Sequence, residues 1–472
     1  MKKFFTAQDV DFALYRDENV IYHDENDTIT AAAREYAQSK GVQFLIKGQT
    51  EQQSDTKPSD TDPLPKVKPV KAEYPANTTA QSTANRKSHL SEADIERWRE
   101  EFPILKNIIH VANCSQSAQS KRVRSAINRY LDNWLTVGMD WEYWMEEVFK
   151  AKAEFAKLIN ADVSEIAIST SVSEAVASIA SAIDFSGKRK KIVTTEAEFP
   201  TVAHVWLAHQ KYGGKVDFVP VHNGEISMEQ YEKYVDEDTI LASITHVYYY
   251  NGFKQNISEI ADLCHQKGAM VLVDAYQSLG TTPVDVKEMK IDILTSGNLK
   301  YLFGIPGVAF LYVNKDLNSM LKPAVTGWFG QENPFLFNVR YIDYASDARR
   351  FDTGTPPVLT SFAARAGMEI INEVGVPAIS ERIDMLSKVA IEGCRNRGLE
   401  LVSPSDIRKK GGTTAVKLEM DSHLMEKELA KRNIIASARG DVIRVAPHFY
   451  TRPDDVELVL DQIKDIIDKN RI

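Results

Sequence analysis

From Glu165 onward the chain repeats one pattern. A short apolar, β-branched run is followed by a longer stretch whose apolar residues recur every three or four positions. "EIAIST" precedes "SEAVASIASAI", and "KKIVTTEAEFP" leads into "TVAHVWLAHQKYGG". "KVDFVPV", "TILASITHVYY", "AMVLVDAYQ", "IDILTSG" and "GVAFLYV" are further strand candidates, with a helix, "ISEIADLCHQKG", among them. Strands apolar on both faces, alternating with helices, predict a mostly parallel sheet covered on both sides. The tail differs. Helical patterns "AISERIDMLSKVAIEGCRNRG" and "DDVELVLDQIKDIIDK" flank short strands "GTTAVKLEM" and "DVIRVAPHFY", which predicts a smaller α+β domain. The expected α/β body covers residues 91–472, with a large domain over about 125–350 and a small one over about 91–124 plus 351–472.

The first ninety residues do not follow this pattern. Residues 1–48 predict a small module. Thr6 caps a helix over "AQDVDFALYRD", "NVIYHD" is a strand, and Thr30 caps "AAAREYAQSK", which Gly41 ends before a strand "VQFLI". Residues 49–90 are rich in Ser, Thr, Lys and Asp, and Pro58, Pro63, Pro65, Pro69 and Pro75 oppose helix and sheet alike. This stretch predicts a disordered, extended linker.

Composition narrows the partners. The net charge is −9 and the pI about 5.7, which argues against nucleic acid or an anionic membrane as the main partner. Gln8, Asp9 and Asp11 interrupt what would otherwise resemble a signal-peptide core, and no apolar run is long enough to span a bilayer. Cys114, Cys264 and Cys394 are too scattered for a disulfide framework or zinc site, so a reducing, cytoplasmic setting is expected.

In a parallel sheet ligands bind beyond the C-terminal strand ends, so the residues there matter most. Asp274 and Gln277 follow "AMVLV"; Lys300 follows "IDILTSG". A lone aspartate there reads as a cap or ion pair, and a lone lysine as a turn residue. A buried lysine, however, has a lowered pKa and can act as nucleophile or imine former. Ser171 and Ser173 stand where a strand passes into a helix, where hydroxyls and free N–H groups hold an anion. Phe199 follows another strand and offers an aromatic plate. Together the set suits a phosphorylated pyridine aldehyde. The phosphate takes the helix N-terminus, the ring stacks on Phe199, Asp274 keeps the pyridine nitrogen protonated, and Lys300 holds the aldehyde as an imine.

Four stretches add a resemblance. "VLVDAYQSLGTTPVDV", "SGNLKYLFGIPGVAFLYV", "RRFDTGTPP" and "IRVAPHFY" resemble the class V aminotransferase family, the cysteine desulfurase-like branch of fold-type-I pyridoxal 5'-phosphate (PLP) enzymes. The resemblance implies that Lys300 is the cofactor lysine, that Asp274 pairs with the pyridine nitrogen and that Gln277 contacts the ring oxygen. It implies that Ser171, Val172 and Ser173 hold the phosphate, and that Thr355 reaches the phosphate of the partner subunit in a homodimer. Phe199 is similar to the stacking residue of kynureninase-like members. Arg444 matches the arginine that grips the substrate carboxylate, and Asn113 matches the asparagine of the segment leading into the domain.

One departure shapes the functional expectation. Desulfurases carry a nucleophilic cysteine shortly before the arginine that matches Arg444, and here that stretch reads "IIASARGDVIRV". The leading expectation is therefore an aminotransferase or carbon–sulfur/β-lyase acting on a small amino acid, with Lys300 as base at Cα. A desulfurase using Cys114 and a silent cargo or scaffold protein are the alternatives. Trp328, Phe329 and the run Tyr248, Tyr249, Tyr250 are expected around the substrate. Finally, "ITAAAREYAQSKGV" resembles N-terminal segments of ethanolamine-utilisation proteins of bacterial microcompartments, which implies that residues 1–48 dock to a shell.

Overall fold

The computed structural model describes residues 4–5, 10, 13–14, 18–24, 27–46 and 89–470. They fall into two compact units, one comprising Met1–Asn85 with Asn333–Tyr341, the other Arg86–Glu332 with Ile342–Ile472. In the first, Val20–His23 pairs in parallel with Gln43–Ile46, and Phe4–Phe5 with Thr28–Ile29. Thr30 caps the helix Ala31–Lys40, accepting the Ala33 N–H at 3.2 Å, and Gly41 closes it at φ 74°. Ile21, Ala37 and Val42 are buried together there. The expected cap at Thr6 and residues 49–88 of the expected 49–90 linker lie outside the described residues.

The second unit carries a seven-stranded sheet. Its strands are β1 (Ile166–Ser169), β2 (Lys191–Thr195), β3 (Lys215–Val219), β4 (Thr239–Thr245), β5 (Met270–Asp274), β6 (Ile293–Gly297) and β7 (Ala309–Val313), in the order β1-β7-β6-β5-β4-β2-β3. Only β7 runs antiparallel to its neighbours. The apolar strand sequences follow from burial on both sides. Val193, Ile244, Val273 and Phe310 face one core, while Ile192, Leu241, Leu272 and Leu311 face the other. Before the sheet lie α1 (Glu92–Arg99), α2 (Lys121–Val137) and α3 (Trp141–Ile159), and within it α4 (Val172–Ser181), α5 (Pro200–His209), α6 (Met228–Tyr234) and α7 (Ile257–Gln266). α3 and α7 cover the first face; α4 and α5, with fully buried Trp206, cover the second.

Next comes α8 (Val358–Val374), which packs on α2 and α3, and then α9 (Val376–Arg397). The remaining strands β8 (Thr414–Lys417), β9 (Ile434–Ile435), β10 (Ser437–Arg439) and β11 (Val442–Val445) surround α10 (Ser422–Ala430) and α11 (Pro453–Asn470). They share a separate core with the C-terminal half of α9 and with Val111. Strand pair Ile434–Ile435 and Ile109–His110 ties the segment before α2 to this core.

The tyrosine run differs from the expected strand. β4 ends at Thr245, and the chain turns at Tyr248–Gly252 with the Gly252 N–H donating to Tyr248 O at 2.8 Å. Gly252 permits this at φ 77°, with Thr413 O lying 2.4 Å from where a Cβ would stand. Among the described residues no helix is long and apolar enough to cross a membrane, and no cluster of His, Cys, Asp or Glu could hold a metal.

Candidate active site

Every strand except β7 points its C-terminal end to the same edge of the sheet, and the candidate residues gather there. Lys300 lies three residues beyond β6, on a turn that its neighbours clamp. The Gly304 N–H donates to Asn298 O at 2.9 Å, and His448 bonds Tyr301 O at 3.0 Å. From the segment leading into α2, Ser117 N–H donates to Leu299 O at 3.2 Å. The lysine Nζ stands 4.1 Å above the Tyr276 ring and 5.7 Å from the Phe199 ring. Tyr276 can occupy that place because β6 ends in Gly297, where a Cβ would fall 2.1 Å from the tyrosine Cζ. Desolvation lowers the Lys300 pKa to about 8, opposed by Asp274 and reinforced by the charges of Arg444 and Arg439. A neutral amine is therefore accessible near physiological pH.

Asp274 ends β5 and is buried. Its Oδ1 accepts the Tyr276 N–H at 2.8 Å. Burial raises its pKa, while that N–H and the Lys300 charge pull it back. Glu198, which the sequence analysis passed over, is buried beside it. It accepts the Phe199 N–H at 3.2 Å, yet its Oε2 has no partner. Desolvation, followed by the Asp274 charge, drives the Glu198 pKa well upward. Both carboxyls are pushed upward, Glu198 the further, so Asp274 is the readier of the two to ionise. His246, just past β4, donates its backbone N–H to Asp274 O at 2.9 Å. Its ring is buried, and desolvation lowers its pKa to about 3, so it is neutral too.

The anion site forms at the start of α4. Ser171 is the N-cap, its Oγ accepting the Glu174 N–H at 3.2 Å. The Val172 and Ser173 N–H groups have no protein acceptor among the described residues. Glu174 in turn holds the loop ends, accepting Thr170 N–H at 2.8 Å and bonding the Thr353 hydroxyl. Phe199 starts α5 and is 39% exposed, its ring edge-on to Tyr249 at 5.3 Å. Gln277 is buried, with Nε2 donating to Cys114 O at 3.0 Å and Oε1 left without a partner. Free helix N–H groups, an exposed aromatic face, an orphaned amide oxygen, an ionisable carboxylate and a lysine of lowered pKa fit PLP. Ser171, Val172 and Ser173 would hold its phosphate, Phe199 its ring face, Asp274 its ring nitrogen, Gln277 its ring hydroxyl and Lys300 its aldehyde.

Arg444 is brought into the same site but is only 1% exposed. Its Nη1 donates to Tyr249 O at 2.7 Å; its Nη2 donates to Ser115 Oγ at 2.9 Å and Ser437 Oγ at 2.7 Å. Nε reaches Ser437 O at 3.5 Å. Of the five donors of a guanidinium, one N–H on Nη1 remains for a ligand. Asn113 is fully buried, its amide donating to Ala446 O at 2.8 Å and accepting the Tyr450 hydroxyl at 2.7 Å. It reaches the site through the segment it anchors rather than by a free group. Thr355 is exposed on the loop after Thr353. Trp328 and Phe329 pack on Trp141 at the start of α3.

The cysteines are buried. Cys114 packs with Tyr301 and Ala446 beside the lysine turn. Burial pushes the thiols of Cys264 and Cys394 up to about 12 and about 11, which leaves them unreactive. Tyr276, Glu198 and His246 were missed because each has an ordinary strand-end sequence. Only tertiary packing reveals the lysine over the Tyr276 ring and the buried, unpartnered atoms of Glu198 and His246.

The family model described as aminotransferase class-V matches residues 115–449. The chain belongs to that family. It is 40% identical over 368 residues to an uncharacterized aminotransferase, YcbU, of Bacillus subtilis, covering 78% of this chain and 97% of the relative. It is 26% identical to a kynureninase of Geobacillus thermodenitrificans, covering 80% and 93%. The fold matches the apo structure of a cysteine desulfurase from Thermococcus onnurineus at a TM-score of 0.72 and 22% identity, over 79% of this chain and 98% of that one. This class V chain is a PLP-dependent enzyme, a transferase or lyase acting on an amino acid.

Proposed function

We propose that the chain acts on a small amino acid by removing the Cα proton with Lys300, and completes either amino transfer or elimination of a β-group. The observation that carries this reading is the lysine itself. Its pKa near 8 lets it hold the cofactor and then accept a proton at Nζ. Bound PLP supplies the electron sink. Asp274, the readier to ionise of the buried carboxyl pair, would keep its ring nitrogen protonated. The free Nη1–H of Arg444 would orient the substrate carboxylate and so hold Cα in one orientation before Lys300. The hairpin before Arg444 supplies Ser437, Ala438 and Arg439 and no thiol, which favours these outcomes over desulfurase chemistry.

The experiment is a screen of small amino acids with product analysis. A keto acid released with the amine left on the cofactor indicates transfer; keto acid plus free ammonia indicates elimination. Sulfide or persulfide from L-cysteine, lost in Cys114→Ser, would overturn both in favour of the desulfurase. The same reading makes the active unit a homodimer, with Thr355 reaching the phosphate bound by the partner subunit. For residues 1–48 we propose docking to a microcompartment shell, supported by the resemblance carried by the helix Ala31–Lys40. Fusing residues 1–90 to a fluorescent protein in a shell-producing host tests it: puncta are expected, and diffuse fluorescence overturns it.

A further inference from the structure

Four observations converge on Arg439. It is the last residue of β10, two positions after Ser437, so the two side chains share one face of the strand. That face is the site face: Ser437 Oγ accepts from Arg444, while Ala436 and Ala438 point the other way into the C-terminal core. The Arg439 charge reaches Lys300 and helps lower its pKa. Finally, Arg439 is exposed and forms no hydrogen bond or ion pair through its side chain among the described residues. Asp441, two residues on, does not neutralise it, because Asp441 is taken by Lys417 and the Tyr250 hydroxyl.

The site thus contains two guanidinium groups in different states. Arg444 is buried and has one N–H left, enough to orient a single carboxylate. Arg439 keeps its full donor fork and its charge, on the same strand face as Ser437 and within electrostatic reach of the same lysine. A cation left free and aimed at a site that already has one carboxylate anchor is suited to a second anion.

We propose that Arg439 selects the substrate side chain: the enzyme takes small amino acids that carry a second anionic group, of the carboxylate or sulfinate kind, and Arg439 pairs with that group. The proposal rests on the amino-acid reading above and narrows its substrate class.

The test measures binding of L-aspartate, L-glutamate and L-cysteine sulfinate against L-asparagine and L-glutamine. Holoenzyme is titrated, and binding is read by calorimetry and by the visible spectrum of the bound cofactor. Wild type is expected to prefer an acid over its amide by about tenfold or more, the effect of one charge-assisted hydrogen bond. In Arg439→Gln that ratio should fall to within about threefold, and Arg439→Lys should restore part of it. The preference should also weaken with added salt. Equal affinity for acids and amides in wild type, or the same ratio in Arg439→Gln, overturns the proposal and leaves the amino-acid reading standing. Binding of neither class overturns both.

Discussion

Lys300 and its neighbours make a testable set at the level of single groups. Covalent capture of PLP needs the neutral amine. Because burial lowers the Lys300 pKa to about 8, the protonated form dominates below that pH and the neutral form above it. PLP uptake by the apoprotein should therefore rise roughly tenfold per pH unit below 8 and level off above it, as stopped-flow absorbance between pH 6 and 9.5 can follow. Asp274 favours the charged lysine, so Asp274→Asn should move the midpoint downward. Glu198 gives the complementary prediction. Because burial and then the Asp274 charge favour its protonated form, it should tolerate an isosteric neutral amide. Glu198→Gln is expected to melt close to wild type at pH 7. Glu198→Ala should lose roughly 2 kcal/mol in denaturant titrations, the usual scale for emptying a buried polar position.

The elements explain why those groups meet. Lys300, Asp274, Phe199 and Ser171 are separated widely in sequence, but each ends or follows a strand whose C-terminal end lies on one edge of one sheet. α4 illustrates how local structure becomes a binding surface. Ser171 both caps the helix and borders the free Val172 and Ser173 N–H groups. Ser171→Ala should lower apoprotein stability by about 1 kcal/mol through loss of the cap. The same substitution should weaken PLP severalfold, read by equilibrium titration of the cofactor. The strands themselves were legible in the sequence, because burial on both faces demands unbroken apolar runs such as "AMVLV" and "GVAFLYV". The direction of β7 was not, since the same apolar run suits either sense. The turn at Tyr248–Gly252 was hidden by aromatic residues that usually favour strands, and its cause, the closeness of Gly252 to Thr413, is a contact 161 positions apart in the chain (413 − 252). The site was legible in part for a related reason. Residues whose chemistry is unusual at a strand end stood out, whereas Tyr276, Glu198 and Arg439 acquire meaning only from what surrounds them.

The scale of the whole molecule is set by how the sheet meets the C-terminal core, and one buried lysine marks that junction. The loop before β8 runs beside the turn after β4, with the Gly411 N–H donating to Gly252 O at 2.8 Å and Lys254 N–H to Lys409 O at 2.8 Å. Lys410 points inward there, 2% exposed. Its Nζ donates to Ser387 Oγ at 2.9 Å and to its neighbour Gly411 O at 3.0 Å. Desolvation lowers its pKa to about 7, with Asp384 and Cys394 opposing and Lys254 reinforcing the shift. An unfolded lysine titrates near 10.4, so the folded chain binds fewer protons between about pH 7 and 10.4. Below pH 7 the buried charge is destabilising in full, and the burden is relieved as pH rises through that window. Lys410→Met fills the same space without a charge. It is expected to raise the melting temperature by roughly a few degrees at pH 6. The gain should shrink steadily toward pH 9.5, where the wild-type lysine is neutral in the folded state but still mostly charged in the unfolded one, so most of the burden has been relieved. Differential scanning calorimetry of both proteins across that range decides it. A gain that does not depend on pH would mean that packing, not the buried ammonium, governs the junction.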